Sequence, residues 1–311
     1  MIIIKIRRIG GDKMIEHLET ERGNPKTENI DTKNVEEILR VMNEEDAVVV
    51  LAVREAIPKI AEVIEFCIES YKKGGRIFYA GAGTSGRMGV IDSAEIPPTF
   101  GVPQGVFIPL LAGGQDAFSK AVEEVEDMED LGIRDLSTYD PSPLDTVIGI
   151  SASGRTPYVR GVLKKAKEAG CKTSLICNVE EPEIGNLADV VVSLRTGPEV
   201  IRGSTRLKAG TSQKMVLNMI STVTMIKVGK VYKNYMVDVS ILNEKLKKRA
   251  LRMIVEITGV TEEEAEKYLR LADNNVKLAI LMILSKKPKD ICESVLKREE
   301  NLRKALEILS H

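Results

Sequence analysis

The chain has 311 residues, with 45 Lys and Arg against 46 Asp and Glu, so no net field draws it to nucleic acid or to an acidic membrane surface, and any anion it binds must be held locally. That length buries a full core and suits one large domain with an appendage better than two equal domains. With only His17 and His311, and with Cys67, Cys171, Cys177 and Cys292 in no zinc or redox spacing, a metal centre or a Ser-His triad is hard to build; the thiols read as reduced and mostly buried, and catalysis falls to carboxylates, hydroxyls and backbone amides.

Residues 1–8 offer only Ile2-Ile3-Ile4 as an apolar run, and no later stretch reaches the eighteen or so apolar residues of a membrane span, so a cytoplasmic protein is expected. After a polar lead-in containing Asn24-Pro25, the helical spacing of Ile38, Leu39, Met42, Val53, Ile57, Ile60 and Ile64 predicts two helices over 35–71. Short β-branched runs at 76–80, 105–108, 145–150, 173–176 and 189–192 then alternate with helical segments. Continuous apolar strands of this kind belong in a parallel sheet covered on both faces, an α/β sandwich.

The first run is followed at once by Gly81-Ala82-Gly83-Thr84-Ser85-Gly86-Arg87. Glycines let the backbone approach an anion, the start of the next helix presents unpaired N–H groups, and Thr84 and Ser85 add hydroxyls. Gly81, Gly83 and Gly86 fit the dinucleotide spacing, but the acidic ribose partner expected after a second strand is missing from 105–110, which argues against a dinucleotide. A second loop of the same kind, Ser151-Ala152-Ser153-Gly154-Arg155-Thr156-Pro157, follows the third run. Two such loops at the carboxyl ends of parallel strands point to a phosphate on a small sugar, with Gly83, Thr84, Ser85, Ser151, Ser153 and Thr156 as its candidate ligands.

Residues 208–232 predict a long helix whose Met215, Met219 and Met225 read as core filling. Its segment 214–228 looks apolar enough to want a partner surface, as in a homodimer. Beyond Asn243, the stretches 250–258, a Thr261-Glu262-Glu263-Glu264 cap and 276–284 predict a bundle of three short helices.

The chain resembles the N-acetylmuramic acid 6-phosphate etherases, members of the sugar isomerase (SIS) fold. The resemblance runs from Leu18 onward and rests on Leu18-Glu19-Thr20-Glu21 with Asn24-Pro25, on Gly81 to Gly86, and on Glu95-Ile96-Pro97-Pro98-Thr99-Phe100-Gly101. It continues through Ser151 to Tyr158 and Gly203-Ser204-Thr205-Arg206-Leu207-Lys208-Ala209-Gly210-Thr211. Gly23 looks inserted, Ile96 stands where cysteine is usual, so that cysteine is no required nucleophile, and Arg202 stands where threonine is common.

The resemblance implies a three-layer αβα sandwich on a five-stranded parallel sheet over 35–245, after a lead-in at 1–34, with a UBA-like helical appendage at 246–311. It also implies a homodimer, no cofactor, and loss of D-lactate from C3 of the sugar, followed by addition of water. In the open-chain aldehyde the carbonyl acidifies the C2 proton, so one carboxylate can remove it while a carboxylic acid protonates the departing oxygen. By position, Glu95 matches the proton donor, beside a rigid Pro97-Pro98 turn. Glu126, in an expected helix over 116–128, matches the base; the residues alone do not distinguish it from Glu123, Glu124 or Glu129. A plain aldose–ketose isomerase would use the same loops with a single base. A non-catalytic sugar-phosphate sensor would need neither carboxylate, and neither a helix-turn-helix nor a basic face is present for a DNA-reading one.

Overall fold

A computed structural model describes residues 19–310 except 123, 240 and 242; residues 1–8, His17, Leu18, Glu123 and His311 lie outside them. Asn34 starts helix α1 (Val35–Lys72) with a reciprocal capping box to Glu37. Buried Val49, Val53, Ala56, Ile60, Val63 and Cys67 recur at steps of three and four along it, so the two expected helices are one. Pro58 does not break it because the carbonyl of Arg54, which loses its donor, lies with Pro58 on the exposed face, where water can serve it.

There follow β1 (Ile77–Gly81), α2 (Gly83–Phe100), β2 (Phe107–Leu111), the single turn α3 (Asp116–Ser119), α4 (Glu129–Ser137), β3 (Thr146–Ile150) and α5 (Pro157–Glu168). The core closes with β4 (Lys172–Cys177), β5 (Val190–Ser193) and α6 (Lys208–Lys227). All five strands are parallel, in the order β2-β1-β3-β4-β5. Successive residues of β1 enter opposite layers: Ile77 and Tyr79 join a core with residues of α1, α2 and α6, while Phe78 and Ala80 join one with Leu136, Tyr158, Val162 and Leu163. Both faces are therefore dry, which is why the strands read as unbroken apolar runs.

The apolar residues of α6 turn inward. Val216, Leu217, Ile220 and Met225 are buried inside the protomer, so the surface expected over 214–228 is largely consumed, with Ile226 its one large hydrophobic residue left exposed. Exposed apolar side chains lie instead on α1, at Leu39, Val50, Leu51 and Ile57, and on α2, at Ile91.

A short hairpin, β6 (Val231–Tyr232) and β7 (Tyr235–Met236), leads to α7 (Glu244–Thr258), α8 (Glu262–Leu271), α9 (Val276–Ser285), α10 (Lys289–Leu296) and α11 (Leu302–Ser310). Among the described residues, the appendage thus has five helices where three were expected. The last two are short and carry mixed charge, so their periodicity is faint, yet Cys292, Leu302 and Ala305 are fully buried in its core. That core also takes in Val237 and Val239, ahead of residue 246.

A buried ionic cluster fastens the N-terminal segment to the sandwich. Glu45 on α1, only 4% exposed, accepts from Lys208 Nζ at 2.7 Å and Asn24 Nδ2 at 2.6 Å and pairs with Lys26 at 2.8 Å. Glu199 takes the amides of Lys208 and Ala209, both at 2.9 Å, at the start of α6. Burial alone would push the Glu45 carboxyl up, but the bonds from Lys208, Lys26 and Asn24 outweigh it and hold the group at about 2. A folded value below the unfolded one gives stability that is complete above roughly pH 4.5 and is lost as pH falls toward 2. Lys208→Met, which leaves a buried carboxylate short of its main counterion, should cost about 3 kcal/mol in denaturant unfolding at pH 7. The Glu45→Gln, Lys208→Met double variant should lose stability less steeply than wild type between pH 4.5 and 2; an equal slope would show that the pair does not carry the acid response.

Candidate active site

Gly81 and Ile150 are in register across β1 and β3, so the loops that follow them leave the sheet side by side. There the chain order reverses, β1 leading to β2 on one side and β3 to β4 on the other, the position at which open sheets of this kind hold ligands. A cleft of about 410 Å³ lies there, lined by Gly83, Thr84 and Ser85 from one loop and by Ser153, Arg155 and Thr156 from the other, with Glu21, Arg87, Glu126, Asp127, Gly203 and Thr205.

The donors are built into the helix starts. The first intrahelical bond of α2 runs from Gly86 N to the Ala82 carbonyl, and Ala82 has no side chain to cap with, so the amides of Gly83, Thr84 and Ser85 remain for an anion. The first turn of α2 can lie this close to the sheet only because two glycines meet. A Cβ on Gly86 would collide with the Gly81 carbonyl oxygen and stand 2.6 Å from Leu111 Cδ1.

Thr156 occupies the cap position of α5 but makes no cap bond. Its hydroxyl instead lies 2.7 Å from Ser151 Oγ and donates to Glu126 Oε1 at 3.1 Å. Ser151 is 1% exposed and its oxygen also receives the Gly154 amide at 3.1 Å; it braces the loop from behind and does not line the cleft. Of the six candidate phosphate ligands, the other five line it.

Glu126 reaches the cleft, although not from a helix over 116–128. After α3, residues 120–122 are non-helical and Glu124–Asp127 form one tight 3-10 turn. Arg87 organises this stretch, its guanidinium donating to the carbonyls of Ala117, Phe118 and Lys120 at 3.0, 3.1 and 2.8 Å. Of the glutamates that competed with Glu126, Glu129 faces Lys164 and Arg160, and Glu124 is not part of the lining.

Glu95 is not in this cleft. It lies ten residues beyond Ser85 on α2, about 15 Å along the axis, exposed, one turn from exposed Ile91. Pro97 and Pro98 form no separate turn; they stand in the last turn of α2, which ends at Gly101 with φ of 64° and its amide on the Pro97 carbonyl at 2.9 Å. Asp92, three residues before Glu95, is buried against α6, where it accepts from Asn218 at 2.6 Å and Ser221 at 3.2 Å. Glu21, Asp127, Arg87 and Arg155 are the cleft residues that the sequence reading did not single out; the first signal for three of them was membership of the same short runs as the chosen residues.

Among the described residues, no helix is long and apolar enough to cross a membrane, and no group of three or more His, Cys, Asp or Glu is placed to hold a metal ion.

Family models place this architecture. Residues 59–167 match the glucokinase regulatory protein N-terminal SIS domain, 118–223 the SIS domain, and 233–278 the C-terminal lid domain of glucokinase regulatory protein. The N-acetylmuramic acid 6-phosphate etherase of Petrotoga mobilis is 57% identical over 298 residues, 96% of this chain and 100% of its own. That of Geobacillus thermodenitrificans is 50% identical over 296 residues, 94% of this chain and 100% of its own.

Gly86→Ala should force α2 away from β1, at a cost of about 1–3 kcal/mol, and should weaken binding of inorganic phosphate by tenfold or more in calorimetric titration. Gly23→Ala, where a Cβ meets nothing within 4 Å, should change neither; retention of phosphate affinity by Gly86→Ala would separate the loop from anion binding.

Proposed function

The chain belongs to the N-acetylmuramic acid 6-phosphate etherases, and from that premise we propose how its own residues divide the reaction. The enzyme is a carbon–oxygen lyase of amino-sugar catabolism: it removes D-lactate from C3 of the substrate and adds water, giving N-acetylglucosamine 6-phosphate. The 6-phosphate is held by the amides and hydroxyls of Gly83, Thr84, Ser85, Ser153 and Thr156, with Ser151 keeping the second loop in shape. Glu126 takes the C2 proton of the open-chain aldehyde, the C3–O bond breaks, and the lactate oxygen receives a proton from Glu95. Water then attacks C3 of the unsaturated aldehyde, with a proton returned to C2.

The observation that carries this reading is the Thr156 to Glu126 hydrogen bond, which fixes a carboxylate beside an anion-binding loop. A single conformer of the carboxylate is what a base needs if it is to meet one proton of one bound sugar.

Because Glu95 lies outside the cleft of its own protomer, we assign it to the cleft of a second copy, in a homodimer whose contact uses the exposed apolar residues of α1 and α2. The sugar-phosphate substrate fits a cytoplasmic enzyme, with no nucleic acid or membrane among its partners.

Glu126→Gln should lose D-lactate release by about 10²–10⁴-fold and lose deuterium exchange at C2 of N-acetylglucosamine 6-phosphate as well. Glu95→Gln should lose release but keep exchange, since exchange needs no leaving group. Refolding the two inactive variants together should restore about a quarter of wild-type release, because half the dimers are mixed and each mixed dimer has one complete site. No restoration would place Glu95 in its own cleft or remove it from the reaction.

A further inference from the structure

The substrate has two anionic ends, and the hydroxyl and amide cradle accounts for only one of them. The lactyl group that leaves carries a carboxylate two bonds from its ether oxygen, hence beside C3 and next to the C2 proton. In the cleft of the protomer two cationic side chains line the wall, Arg87 and Arg155. Arg87 is committed to three carbonyls of the neighbouring loop. Arg155 is half-buried and, among the described residues, makes no hydrogen bond or ion pair, although Glu126 and Asp127 line the same cleft.

We propose that Arg155 is the counterion of the lactyl carboxylate and so the residue by which the site tells its substrate from the otherwise similar product. The proposal rests on the etherase reading and adds a specificity determinant to it. Arg155 directly precedes Thr156, whose hydroxyl holds Glu126, so it stands beside the group assigned to the C2 proton and hence near C3, with Ser153 and Thr156 of its own loop joining the α2 amides on the phosphate. A guanidinium in a half-enclosed cleft matches a carboxylate with two parallel N–H bonds, which a neutral donor or an ammonium cannot reproduce. Elimination turns that carboxylate into part of free lactate, so the pairing serves the reactant and leaves with the first product.

The test compares two substrates in wild type and two variants. Wild type should prefer N-acetylmuramic acid 6-phosphate over its lactyl carboxamide analogue by about 10–100-fold in kcat/KM, the range of a charge-assisted bond. Arg155→Met should bring that ratio near one and raise KM for the acid, while deuterium exchange into N-acetylglucosamine 6-phosphate, which has the phosphate but no lactyl group, falls by less than about threefold. Arg155→Lys should recover part of the preference. The exchange assay also reports folding of the variants. An unchanged acid-to-amide ratio in Arg155→Met, or an equal loss of release and exchange, would overturn the proposal, the second by placing Arg155 on the phosphate. Failure of wild type to release D-lactate at all would instead strike the etherase reading beneath it.

Discussion

A charge can be taken out of water only if another group replaces the hydration it loses, and Glu45 and Lys208 meet that condition for each other. Their pairing decides where three distant stretches of chain come together. Asn24 brings the N-terminal segment to Glu45, and Thr27 bonds the Val200 carbonyl at 2.9 Å, so the segment is tied to the loop before α6 as well. Glu199, from that loop, holds the first amides of α6. Glu21, Gly203 and Thr205 reach the cleft from either side of this junction, and Arg202 adds a further tie by donating to the Glu21 carbonyl at 2.7 Å. One wall of the site is thus an outcome of a buried ion pair that has no part in the chemistry.

The opposite wall is set by neutral groups. Amides at a helix start can meet an anion without a compensating cation and without rearrangement. This leaves arginine free for other work: Arg87 shapes the loop that carries Glu126. Thr156 shows the same division at the scale of one side chain. At the start of α5 its hydroxyl would ordinarily cap the helix, yet it is turned to Ser151 and Glu126. A local stabilising bond is forgone so that a carboxylate is held, the kind of conflict that marks functional positions.

The five strands, the two loops of glycines and hydroxyls, and the covered faces were legible in the sequence because each depends on local pattern: apolar runs, glycines and hydroxyls directly after a strand. The errors arose where tertiary context decides. Two helices were expected over 35–71, but the carbonyl orphaned by Pro58 faces water and α1 continues. The 116–128 stretch had helical composition, but the carbonyls of Ala117, Phe118 and Lys120 are drawn to Arg87, and the chain turns tightly into Glu126 instead. The apolar density of α6 could not reveal its direction, since a helix buried between α1 and α2 and a helix waiting for a partner have the same composition. Glu95 was legible as a motif residue, but motif membership says nothing about which cleft its side chain enters.

That last point has a chemical side. The cleft of one protomer already holds Glu21, Glu126 and Asp127, and negative charge of that kind favours the protonated form of a further carboxyl brought among them, the form a proton donor needs. A base must be ionised and an acid protonated in the same complex, so the two need different surroundings. Glu95, on the flank of α2, and Glu126, in the turn before α4, are the proposed acid and base, and their placement on different elements separates them within each chain. On this reading they meet only when two copies do, since ten residues of α2, about 15 Å along its axis, separate Glu95 from Ser85 at the cleft of its own protomer. Assembly would then be a requirement for turnover, while the two candidate phosphate loops, both from one protomer, would not depend on it.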